Sequence, residues 1–216
     1  MSEYLLNIEN LSTGYHGKVV QGPISFSIGK GKLIGIKGRN GKGKTTLLKT
    51  LAGLQKSISG KILIDHTDIE KIAPTDKAKL VSIVLTDRVK LSGVTVYDLV
   101  EMGRYPATGK FSFRKKEDDG VIDECIRQMN IDNLKEEALS EISDGELQKA
   151  MIARALAQQT PIILMDEPTA FLDYVAKEEL FDLLRQIVSE KKVTIIFTSH
   201  DIELMEKNAD QIIEIV

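Results

Sequence analysis

Apolar and polar residues alternate through the first part of the chain and recur at helical spacing further on. Leu5 to Leu11 alternates and predicts a strand, with a turn at Ser12-Thr13-Gly14 bringing Tyr15 to its end. Ile24, Phe26 and Ile28 alternate with Ser25 and Ser27, the pattern of a half-buried antiparallel strand. After the turn Gly29-Lys30-Gly31-Lys32, Leu33 to Ile36 reads as a short buried strand, and Gly60 to Asp65 as another. Val81 to Leu85 predicts a buried strand. Beyond it Val94 to Arg104 and Lys115 to Met129 carry helical periodicity, separated by a loop containing Gly103, Pro106 and Gly109. Lys135 to Glu141 is acidic and polar, a helix or a loop, and Leu147 to Gln158 is a well-formed helix. Ile162 to Met165 and Val193 to Phe197 read as buried strands on either side of a helix that Leu172-Asp173 opens and that runs to about Glu190. Ile212 to Val216 predicts a final strand. The expected architecture is a single α/β domain with a mainly parallel sheet and an antiparallel β subdomain. Residues 1–86 and 158–216 form the core, and residues 87–157 form an inserted helical subdomain.

Composition narrows this little but excludes several classes. With 216 residues, 42% hydrophobic and 28% charged, the chain can bury an ample core as one domain. A net charge of −3 offers no basic field for nucleic acid. Cys125 is the single cysteine, so no intrachain disulfide can form. No apolar run approaches the ~18 residues of a membrane span, and Met1-Ser2-Glu3-Tyr4 does not open a signal peptide, so a cytoplasmic chain is expected. The run Arg114-Lys115-Lys116 followed by Glu117-Asp118-Asp119 reads as a solvated face, and His16 and His66 lie in turns without an assigned role.

The chemistry begins at Gly38-Arg39-Asn40-Gly41-Lys42-Gly43-Lys44-Thr45-Thr46, which fits G-x-x-x-x-G-K-[ST]. The strand before it and the helical face of Leu47, Leu48 and Leu51 after it supply the strand–loop–helix context that the motif requires. Missing side chains let backbone N–H groups wrap a triphosphate at the positive end of a helix. Lys44 is placed to neutralise β/γ oxygens and the Thr45 hydroxyl to ligate Mg²⁺, so ATP and Mg²⁺ are the expected ligands. Tyr15 can stack on an adenine ring or simply end its strand. Asp166 and Glu167 stand at the carboxyl end of the strand Ile162 to Met165, where open α/β sheets bind ligands. One carboxylate can hold Mg²⁺ and the next can polarise an attacking water. His200, in Thr198-Ser199-His200-Asp201 at another strand end, is expected to contact a γ-phosphate. Ile142-Ser143-Asp144-Gly145-Glu146 precedes a helix and can cap it or form a second phosphate site.

Taken together and in order, these motifs resemble those of an ABC-transporter ATPase subunit across essentially the whole chain. The resemblance implies a P-loop NTPase core and places Tyr15 at the aromatic A-loop and Gly38–Thr46 at Walker A. It sets Ile142–Glu146 at the signature, Ile162–Asp166 at Walker B, Glu167 as catalytic base, Asp173 in the D-loop and His200 as switch histidine. It implies a head-to-tail dimer in which Ser143 and Gly145 of one copy cap the ATP of the other. It also implies docking on membrane permease subunits at the inner face of the membrane, with a substrate-binding protein acting indirectly. The segments Val94–Val100 and Gly103-Arg104-Tyr105-Pro106 resemble the subunits that power uptake of iron–siderophores, haem and vitamin B12. Three departures stand out: Thr86 where the Q-loop glutamine falls, so that its route to Mg²⁺ would run through water or Asp87; Asp144 and Glu146 in the signature; and an end at Val216, where relatives usually continue, expected of a short or trimmed member. The rival readings are a soluble ABC ATPase of the iron–sulfur assembly type and a nucleotide sensor with little hydrolysis.

Overall fold

In the computed structural model, which describes residues 4–39, 41–86, 92–108 and 116–215, the chain builds two sheets and a set of helices. Asn40 of the glycine-rich loop, Asp87, Gly109, the Arg114-Lys115 pair and Val216 lie outside the described residues. The first sheet is antiparallel, in the order β2-β1-β4-β5, from β1 (Leu6–Tyr15), β2 (Lys18–Ile28), β4 (Ser59–Ile64) and the short β5 (Thr67–Asp68). The second is parallel, in the order β6-β7-β8-β3-β9, from β3 (Leu33–Lys37), β6 (Val81–Val84), β7 (Ile162–Met165), β8 (Thr194–Thr198) and β9 (Gln211–Glu214). No described helix is long and apolar enough to cross a membrane.

The α/β class and both kinds of pairing agree with the expectation, while several boundaries differ. Ser12, Thr13 and Gly14 do not form a turn. They lie inside β1, where register shifts between Ile8 and Gly14 absorb the irregular spacing, and the chain reverses at His16-Gly17 instead. Gly103 and Pro106 do not lie in a loop either. Helix α3 (Val96–Glu101) runs through a 3₁₀ turn at Met102–Arg104 into the short α4 (Tyr105–Thr108). The backbone must be bare at Gly103, because a Cβ there would sit 2.3 Å from the carbonyl oxygen of Arg154. Helices α2 (Pro74–Leu80) and α8 (Ile202–Asn208) are additional to those predicted.

Two cores follow from this layering. Leu6, Ile8, Leu11, Ile62 and Ile64 of the antiparallel sheet pack with Ile34, Ile36 and Leu47, Leu48, Leu51 of α1 (Lys44–Leu51), which sets the glycine-rich loop between the two sheets. The larger core joins α3, α5 (Lys116–Gln128), α6 (Asp144–Ala157) and α7 (Tyr174–Lys191) to β7 and β8. Helix α6 buries Ala150, Ile152, Ala153, Ala155, Leu156 and Ala157, so little of its circumference is left to water, as suits a helix wedged between neighbours. Arg104 clamps this assembly. Its guanidinium donates to Asp118 Oδ1 of α5 at 2.9 Å and to the carbonyl of Ala157 at 2.6 Å.

Candidate nucleotide site

The carboxyl ends of β3, β7 and β8, adjacent in the parallel sheet, open into a cleft of about 530 Å³. Tyr15, Val20, Gly41, Gly43, Lys44, Thr45, Thr46, Thr86, Asp166, Glu167 and His200 line it. Most of the residues singled out in the sequence therefore converge here, from positions separated by up to the length of the chain. Gly38 and the described part of the loop hold Lys44 in place: its ammonium, almost fully buried, donates to the Gly38 carbonyl at 3.0 Å. Gly43 caps α1 at φ 87°, a left-handed backbone that a glycine adopts without strain. The first bond across the helix start, Leu47 N–H to Gly43 O at 2.8 Å, leaves the preceding amides directed at the cleft, as helix starts do.

Asp166 is the hub. Its carboxylate is 4% exposed and gathers hydroxyl donors from three elements. Thr45 Oγ1 donates to Oδ2 at 2.6 Å and Thr198 Oγ1 to Oδ1 at 2.8 Å. Thr86 Oγ1 lies 3.0 Å from the Asp166 carbonyl and 3.3 Å from Oδ2, a single hydroxyl hydrogen serving both. Thr86, at the place where a glutamine was expected, thus meets Asp166 directly, while Asp87 lies outside the described residues. The donors are all hard oxygens, the set that suits Mg²⁺ with its remaining positions filled by phosphate and water.

Glu167 turns away from the strand at φ 50°, a left-handed conformation uncommon for a side-chain-bearing residue. Its Oε1 lies 3.0 Å from His200 Nε2, and its Oε2 accepts from the His200 backbone N–H at 3.3 Å. Oε1 is shut off from solvent, and the His200 imidazole lies close to it without an aligned hydrogen bond. Burial pushes the Glu167 carboxyl above its ordinary value; His200 and then Lys44 pull it back, and Asp166 pushes it further up. A carboxylate held in this way is a stronger base than one in water.

Tyr15 lines the cleft, 46% exposed, with its hydroxyl accepting from Thr46 Oγ1 at 3.2 Å. Arg39 and Lys42 belong to the loop but do not line the cleft. Ser143 and Gly145 are not brought to it either. Ser143 instead caps α6 in a reciprocal box with Glu146, donating from its N–H and hydroxyl to Glu146 Oε2 at 2.8 and 2.7 Å. Those bonds hold the Glu146 carboxyl below its ordinary value. Asp173 caps α7 through the Ala176 N–H at 2.8 Å. Sequence reasoning missed Thr198. The signal was present, since Thr198 ends the same strand that carries His200, but a threonine in a buried strand is indistinguishable there from a β-former.

A parallel sheet, a glycine-rich loop opening a helix, and two carboxylates at the end of β7, one strand removed from β3 across β8, define a P-loop nucleotide-binding protein. Residues 22–170 match the ABC transporter family, and the chain belongs to that family as an ATP-binding subunit. It is 43% identical over 207 residues to an uncharacterised ABC transporter ATP-binding protein of Methanocaldococcus jannaschii, covering 96% of this chain and 71% of that one. It is 34% identical over 197 residues to the iron(3+)-hydroxamate import ATP-binding protein of Bacillus subtilis, covering 91% and 73% respectively. Among solved structures, a Clostridium perfringens subunit described as part of the ABC transporter complex cbiONQ superposes with a TM-score of 0.86 at 28% identity. That superposition covers 99% of this chain and 85% of the other.

Proposed function

We propose that this subunit hydrolyses Mg²⁺-ATP to power import of a chelated metal, an iron complex of the siderophore class, through a membrane permease. The observation that carries the catalytic part is the junction of Thr45, Asp166 and Glu167, with Thr45 Oγ1 2.6 Å from the Asp166 carboxylate and Glu167 next in the chain. The cargo rests on the iron(3+)-hydroxamate import relative. In this reading Thr45 and Asp166 hold the cation, with Thr86 beside them. The cation, when bound, neutralises charge on the phosphates. Lys44 and the backbone amides of the loop Gly38–Thr46, to which Arg39, Asn40 and Lys42 belong, hold the triphosphate, and Tyr15 covers the base. Glu167 orients and polarises the attacking water, and His200 steadies that carboxylate and the outgoing charge.

Ser143 and Gly145 do not line the cleft of their own chain, and in this reading they complete the site of a second copy in a head-to-tail pair. The division into a core and a helical subdomain at 87–157 belongs to this reading, as does attachment to a permease at the inner face of the membrane. The test is Mg²⁺-ATP turnover by the purified chain beside Glu167→Gln. Turnover should rise more than linearly with protein concentration and fall at least about 100-fold in the variant, with nucleotide binding retained. Turnover at the parent rate in Glu167→Gln would remove that residue from its role, and binding without turnover even with a permease supplied would favour a sensor.

A further inference from the structure

The mechanism leaves unaccounted for a buried polar side chain that bonds both the Asp166 carboxylate and the backbone of Glu167. Thr198, the last residue of β8, is 0% exposed. Its hydroxyl donates to Asp166 Oδ1 at 2.8 Å and accepts the Glu167 N–H at 2.9 Å. A hydroxyl has one hydrogen to give and lone pairs to receive with, so this pair of bonds uses it as both donor and acceptor. We infer that Thr198 is a positioning residue for the hydrolytic centre, setting the metal-facing oxygen of Asp166 and the direction in which Glu167 leaves its strand.

Three features support this. The two oxygens of Asp166 have different partners. Oδ2 is approached by Thr45 and Thr86, the hydroxyls that line the cleft, whereas Oδ1 is held by Thr198 from the interior. A cation entering the cleft can take over the Oδ2 contacts without disturbing the Oδ1 bond, so Thr198 fixes the carboxylate plane in both states. Next, Glu167 adopts φ 50°, a conformation that persists only when its surroundings hold it, and the Thr198 hydroxyl captures its N–H. Third, Thr198 lies two residues before His200, whose Nε2 and backbone N–H both meet the Glu167 carboxylate. One strand end thereby sets the metal carboxylate, the base and the histidine relative to one another. The hydroxyl is essential to this account: valine keeps the shape and removes both bonds.

The inference rests on the ATPase reading, and the experiment separates the two. Wild type, Thr198→Val and Thr198→Ser are compared in three measurements: binding of a fluorescent ATP analogue as Mg²⁺ is titrated, binding of the same analogue in EDTA, and steady-state ATP turnover. Thr198→Val should raise the Mg²⁺ concentration at half-saturation about tenfold and lower turnover at saturating Mg²⁺ about tenfold or more, the loss of one to two buried hydrogen bonds. Affinity in EDTA should stay within twofold of wild type, since no Thr198 bond is to the phosphate loop. Thr198→Ser, which keeps the hydroxyl, should match wild type within about threefold. Wild-type Mg²⁺ dependence and turnover in Thr198→Val would overturn the inference, as would a serine variant as impaired as the valine one, because methyl packing would then be the cause. Should Thr198→Val fail to fold, Thr198→Cys serves in its place: its weak thiol should leave it worse than serine, and equality with serine overturns the inference. A wild-type chain that neither binds nucleotide in a Mg²⁺-dependent way nor turns it over would instead refute the ATPase reading itself.

Discussion

Replacing Arg104 by alanine should destabilise the chain by about 4 kcal/mol, a figure that follows from how its guanidinium is buried. The side chains of Arg104 and Asp118 are 12% and 7% exposed. Nε donates to Asp118 Oδ1 at 2.9 Å, while a terminal nitrogen donates to Ala157 O at 2.6 Å and to Gln159 Oε1 at 2.9 Å. Losing one partner of a buried pair costs about 3–5 kcal/mol, because the other charge stays in a medium that solvates it poorly. The Ala157 carbonyl, at the end of α6, loses a donor worth about 1 kcal/mol where water cannot replace it. The two losses belong to one guanidinium and do not add in full, which puts the total at about 4 kcal/mol. For a chain of this length each kcal/mol moves the melting temperature by about 2–4 °C, so calorimetry on the nucleotide-free protein should show a fall of about 8–16 °C. The double-mutant cycle with Asp118→Ala isolates the pair and should give a coupling of about 2 kcal/mol or more. Melting within about 3 °C of the parent, or strictly additive single variants, would refute the view of Arg104 as a clamp.

Other outcomes follow from the site and the core. Lys44→Ala should weaken ATP binding about 10–150-fold, the value of a charged hydrogen bond, in a fluorescence titration; retained affinity would mean the Lys44 ammonium does not reach the phosphates. Cys125 is 2% exposed, and burial pushes its thiol up to about 11, against an opposing pull from Lys191. A disulfide-exchange reagent at mildly alkaline pH should therefore label it slowly in the native state and rapidly in urea. Since its folded value lies above the ordinary 9.0, the stability it contributes is present below pH 9 and lost as pH rises through about 11. The urea midpoint of the parent should fall more over that window than that of Cys125→Ala, and equal falls would contradict the assignment.

How legible the site was in the sequence depended on how local its chemistry is. Lys44, Thr45, Asp166, Glu167 and His200 each stand next to a strand or loop whose pattern places them at one sheet end, and the structure brings them into one cleft. Thr198 escaped because its bonds run between neighbouring strands, and nothing in spacing distinguishes a bonding threonine from a packing one. The middle of the chain read less well for a related reason. Gly103 and Pro106 are punctuation marks in a local reading, yet the backbone passes through them helically because α6 approaches Gly103 too closely for any side chain. The short α8 carries few apolar positions, with Leu204 and Met205 buried against the sheet, too short a run for periodicity to show. Of the Gly-Arg-Tyr-Pro segment, Gly103 and Arg104 pack against α6 and α5, while Tyr105 stays exposed.

The order of strands in the parallel sheet also fixes when, during synthesis, a ribosome-bound chain can first grip nucleotide. In β3, Leu33 to Ile36 pair on one side with Ile195 to Thr198, and Ile34 to Lys37 pair on the other with Gln211 to Glu214. The strand leading into the glycine-rich loop is thus made early and gains both of its sheet neighbours last. The antiparallel hairpin of β1 and β2, whose partners are close in sequence, can form while most of the chain is still inside the ribosome. The strand before the loop lacks its outer partner until residues up to Glu214 have emerged, so nucleotide capture comes after the parallel sheet closes around β3 and not with the first hairpin.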